Sequence, residues 1–312
     1  MKKILLMVCI LGLTLILSSC NLFYVVKPAP KSIYKNFIEP KSDNGTAEFM
    51  EKIANEQAAC VVTILTTGSV VAGHETYLLT QAYSGIILNN DGYILTTDQS
   101  YTLEISANGN IYKGKAIETY AVLSDISNDQ THYKLNYIDH DVDSGLAVFQ
   151  FYDNFYYYSD SENSQSQKGF QYIANFTQED LTVGSACIAV GNSLANILVD
   201  NPKSHSSFKN INLTVTLGVL SDTNANVSNP VYFENKKYYP SVVTTPTNSE
   251  MIGGAVFNKQ GKIMGIIFQK AKNEEAGASG YLKRVCFIQS FDLINSYIKE
   301  VESACDITIL LA

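Results

Sequence analysis

Gly85-Ile86-Ile87-Leu88-Asn89-Asn90-Asp91-Gly92-Tyr93-Ile94-Leu95-Thr96 reads as two short apolar runs folded back on one another. Both runs carry the β-branched and aromatic side chains that suit a pleated sheet. Asn90-Asp91-Gly92 between them offers residues that accept the positive φ of a tight turn. The same pattern recurs outward from this hairpin: Cys60 to Thr66, Ser84 to Leu88, Tyr93 to Thr96, Lys113 to Ala121, Leu146 to Phe151, Ala186 to Val190, Leu213 to Leu220, Ala255 to Asn258 and Ile263 to Gln269. A second explicit turn, Lys259-Gln260-Gly261, separates the last two runs. Many short strands divided by turn signals predict an all-β barrel or sandwich.

Two stretches have a helical period instead. Between Thr46 and Glu56, the apolar residues Phe49, Met50 and Ile53 share one face. Near the end, Phe291, Ile294, Ile298 and Val301 do the same, which predicts a helix packed against the sheet. The segment from Tyr152 to Lys168 is tyrosines followed by Ser, Asp, Glu, Asn and Gln with neither period, and reads as a flexible loop between two halves.

Composition narrows the function classes. A chain of 312 residues with 46% hydrophobic content has the material for a sizeable core and is not disordered in type. Its formal charge is -8, and loss of Lys2 and Lys3 with the first twenty residues takes it to -10. Arg284 is the only arginine, so an acidic surface without the residue best suited to grip phosphate argues against nucleic acid as a partner. The sequence carries no metal-ligand spacing, phosphate loop or paired-carboxylate signature, and predicts no cofactor.

The first residues predict export. Lys2 and Lys3 precede an apolar run from Ile4 to Leu17, which is short of the roughly 20 residues needed to span a bilayer. It ends at Leu17-Ser18-Ser19-Cys20, which resembles the bacterial lipobox, in which the cysteine is acylated and becomes the new N-terminus. That predicts a lipoprotein held at the extracytoplasmic face of the cell membrane through Cys20. Pro28, Pro30 and Pro40 among polar residues then form an extended tether. Of the remaining cysteines, Cys60, Cys187, Cys286 and Cys305, the first three sit in or beside apolar runs and read as buried free thiols, with a bridge through Cys60 or Cys305 left open.

Four segments, in order, resemble the trypsin-like serine proteases of the HtrA/DegP type. Gly85 to Thr96 matches the family's strand, turn and strand that lead to the catalytic histidine, where Gln99 stands here. Asp141-Val142-Asp143-Ser144-Gly145-Leu146-Ala147-Val148 matches the segment whose catalytic aspartate precedes Leu-Ala-Val, with Gly145 at that place. Ile188-Ala189-Val190-Gly191-Asn192 and Thr214 to Ser221 match the opening of the family's second barrel. Glu250-Met251-Ile252-Gly253-Gly254-Ala255 matches the nucleophile loop, with Ile252 at the serine and Glu250 at the glycine that eases the oxyanion geometry.

The resemblance implies a trypsin-like double β-barrel with short N- and C-terminal helices, without the PDZ module usual in the family. The layout it implies is a signal peptide over 1–20, a tether over 21–45, a helix and first barrel over 46–151, an insertion over 152–180, a second barrel over 181–290 and a helix and tail over 291–312. Serine hydrolysis needs a hydroxyl nucleophile, an imidazole base and a carboxylate that orients it. A carboxamide, a bare glycine and an aliphatic side chain do none of this. The resemblance thus implies an inactive relative that binds an extended peptide or an envelope protein; the alternative is an active serine endopeptidase with a displaced constellation. Such a rescue needs a histidine, and His74 precedes a strand while His132, His140 and His205 read as loop residues, far from the strand end where a base belongs.

Overall fold

The computed structural model describes residues 44–311 apart from 108, 124–131, 153–156, 161–164, 169, 171–172, 180, 193–197, 200–207, 210–212, 224–230, 249–250 and 271–285. The leader, Cys20 and the tether lie outside the described residues, as do His205, Ser249 and Glu250. Among the described residues, no helix is long and apolar enough to cross a membrane.

Helix α1 (Asn44–Asn55) leads into β1 (Val61–Ala72) and β2 (Glu75–Ile87), which pair as one long hairpin from Val61↔Ile86 to Ala72↔Glu75. Strands β3 (Tyr93–Thr97), β4 (Thr102–Ala107), β5 (Asn110–Val122), β6 (His132–Asp141) and β7 (Leu146–Phe151) follow. Their order, β1-β2-β3-β7-β6-β5 with β5 returning to β1, closes a six-stranded barrel, and β4 hangs on the far end of β5.

Two short strands, β8 (Tyr157–Asp160) and β9 (Gln165–Lys168), pair as a hairpin within the stretch read as an irregular loop. Tyrosines at β8 supply strand propensity that the surrounding polar composition masks.

The second half contains β10 (Ala186–Asn192), β11 (Leu198–Val199), β12 (Phe208–Lys209), β13 (Leu213–Asp222), β14 (Val231–Phe233), β15 (Lys236–Tyr238), β16 (Ser241–Val243), β17 (Ala255–Asn258), β18 (Ile263–Lys270) and β19 (Cys286–Ser290). The ring β10-β13-β16-β19-β18-β17 closes a second six-stranded barrel, while β11–β12 and β14–β15 are two-stranded appendages. The two closed rings are the double β-barrel that the resemblance implies, and α2 (Phe291–Cys305) follows them.

Alternation along the strands separates the apolar side chains into distinct clusters. Val62, Ile64, Ile94 and Phe149 fill the first barrel, and Cys187, Ala189, Val256 and Ile267 fill the second. The opposite faces of the same strands, such as Val61, Leu95, Ile188 and Val190, join the largest cluster, which α1 and α2 also cover with Ile53, Leu293 and Ile298. At about 25 cal/mol per Å² of apolar surface removed from water, this shared seam makes the two barrels one packed body. Gly92 and Gly261 hold φ of +79° and +79°, so both turns quoted from the sequence use their glycine as expected.

Cys60, Cys187 and Cys286 are buried, Cys305 is exposed, and all four are free. Burial pushes the Cys60 and Cys187 thiols up to about 12.

The histidines correct the sequence reading. His74 is exposed in the turn that joins β1 to β2, and both His132 and His140 lie in strand β6, not in loops. They read as loop residues because β6 mixes charged and aromatic residues without clean alternation, and a bulge between Tyr137 and Asp139 breaks its period.

Candidate functional site

Three segments converge where the barrels meet. The first is a 3-10 turn, Asp98–Tyr101, at the end of β3. Ser100 anchors it: its hydroxyl donates to the Thr97 carbonyl at 2.7 Å, and its carbonyl accepts Thr66 Oγ1 at 2.6 Å. With Ser100 buried, Gln99 beside it is left exposed. Asp98 is half-buried, and that burial raises its carboxyl, with the nearby His140 and Lys113 pulling the other way.

The second segment is the turn from Asp141 to Gly145. Asp141 caps it by accepting the Ser144 N–H on Oδ2 at 2.5 Å and the Gly145 N–H on its carbonyl at 2.9 Å. Gly145 has φ +71°, a conformation that explains a glycine here without reference to chemistry. Its carbonyl accepts the Asp98 N–H at 3.0 Å, which ties this turn to the turn of Gln99. The preceding carbonyl, Ser144, accepts Gln289 Nε2 at 3.0 Å, a fully buried bond from β19 of the second barrel.

The third segment runs from Asn248 to Gly254. Asn248 Oδ1 accepts the Met251 N–H at 3.0 Å. Met251 and Ile252 are buried, and their side chains join the second barrel's core. The Ile252 carbonyl accepts the Ser84 N–H at 2.9 Å, while Gly253 donates to the Ile267 carbonyl at 2.6 Å. Ser84 lies on β2, and its own carbonyl accepts Thr96 Oγ1 at 2.6 Å, three residues before Gln99. The loop of Ile252 is therefore bonded to the strand pair that carries Gln99.

The structure thus joins the turn that carries Gln99 to Gly145 through the Asp98 N–H, and brings Ile252 to the same junction through Ser84. Glu250 lies outside the described residues, and Met251 is packed inward. At these three positions an exposed carboxamide, a glycine and a buried sec-butyl group offer no nucleophile and no base.

His140 does not fill the gap. It stands opposite Ala147, whose side chain belongs to the first barrel's core, and its ring packs against Tyr101 at 4.2 Å and Tyr137 at 5.7 Å between centroids. Its Nδ1 is buried and makes no hydrogen bond. Among the described residues, no group of three or more His, Cys, Asp or Glu side chains could hold a metal ion.

Sequence reasoning missed Ser84, Gln289 and Asn192. Gln289 and Ser84 join elements 145 and 168 residues apart, and nothing in the short apolar runs around them signals such pairings.

The family model of the trypsin-like peptidase domain matches residues 83–266, more than half of the chain, from β2 to β18, and so spans Gln99, Gly145 and Ile252. Among solved structures, an HtrA-type protease, AlgW with decapeptide, superposes with a TM-score of 0.55 at 16% identity, covering 81% of this chain and 67% of that one. No curated protein matches the chain.

Proposed function

Because this chain belongs to the trypsin-like peptidase domain family, we propose that it is an inactive member of the HtrA type, a lipoprotein held by acylated Cys20 at the extracytoplasmic membrane face. In this reading its double barrel binds an extended peptide, or an extended segment of an envelope protein, without cutting it. The observation that carries it is Ile252, a buried aliphatic side chain where the family's hydroxyl belongs, in a loop whose backbone bonds serve docking.

A side chain packed into the second barrel cannot present a nucleophile, whatever base stands nearby. The backbone groups that hold a peptide need no triad, because strand addition draws affinity from main-chain hydrogen bonds. The HtrA-type protease named above was solved with a decapeptide, which supports a peptide as the class of partner for a chain of the same fold.

Activity-based labelling tests the reading. The purified lipoprotein in detergent should take up no serine-directed fluorophosphonate and leave unfolded casein intact, while binding a fluorescein-labelled pool of carboxymethylated casein peptides. Labelling of a single serine, abolished by replacing that serine, would establish a displaced active site instead. His74 is exposed at a hairpin tip, and the half-buried His140 is packed against Tyr101 and Tyr137.

A further inference from the structure

We draw no further inference here: the strongest candidate, the cleft of about 370 Å³ between the outer face of helix α2 and the tip of the β14–β15 hairpin, lined by Glu234, Lys236, Ser296, Lys299, Glu300 and Ser303, carries nothing, because its charged side chains lie exposed to solvent and nothing in the structure shows what would fill it.

Discussion

Gly253 and Gly184 share a φ of +88° but not an environment, and that contrast isolates how the barrels are held together. A Cβ on Gly184 would meet nothing within 4 Å, whereas on Gly253 it would lie 2.0 Å from the Ser84 carbonyl oxygen and 2.6 Å from Thr96 Oγ1. Gly184→Ala should therefore cost only the backbone strain of an L-residue at positive φ, about 1–2 kcal/mol. Gly253→Ala carries the same strain and must also push β2 away from the loop. Overpacking costs about 1–3 kcal/mol, and loosening the Ser84–Ile252 and Gly253–Ile267 bonds costs about 1 kcal/mol each.

The expected gap between the two variants is therefore about 3–5 kcal/mol, or roughly 6–20 °C in melting temperature for a body of this size. Urea unfolding followed by tyrosine fluorescence measures it, since the chain has 20 tyrosines and no tryptophan. Equal losses in the two variants would show that Gly253 is not the contact through which the second barrel docks on the first.

Replacing Cys20 with Ala should release the protein from membranes or stop its processing, read by detergent partitioning; unchanged partitioning means a different anchor. Restoring Gln99→His, Gly145→Asp and Ile252→Ser together should give at most weak fluorophosphonate labelling. Gly145 needs positive φ, and removing the buried Ile252 side chain gives up about 2 kcal/mol of burial, so the triple variant also melts earlier by calorimetry.

In the native protein at pH 8, iodoacetamide should modify Cys305 rapidly and Cys60, Cys187 and Cys286 only on unfolding, as mass spectrometry of the peptides shows. Because Cys60 and Cys187 keep their protons in the fold up to about pH 12, their contribution to stability is whole below about pH 9 and is lost as pH climbs toward 12. The urea midpoint should accordingly fall across that alkaline range.

The fold was legible because it rests on local signals. Strand runs with β-branched residues, the glycines of the turns at Gly92 and Gly261, and the helical spacing of Ile294, Ile298 and Val301 all act within a few residues, so composition and spacing report them. Strand β6 escaped because its bulge and its mixed polar residues destroy the alternation by which a strand is recognised. The histidines on it were misplaced for the same reason. The β1–β2 hairpin was underestimated in length because its outer half, beyond Thr66, is half-exposed and mixes Thr, Gly and Ser with its apolar residues.

By itself, then, the sequence determined that the chain alternates short strands and turns and carries Gln99, Gly145 and Ile252 in segments like those of a serine protease. Only the tertiary structure decided what those positions do. Gly145 is demanded by its φ of +71°, Ile252 by the second barrel's core, and Ser84, Gln289 and Asn192 acquire their places from partners about 100 residues or more away. The physical reason is range. Propensity and turn chemistry act between neighbours, whereas the bonds that join two barrels depend on which distant backbone groups closure of the seam brings within 3 Å.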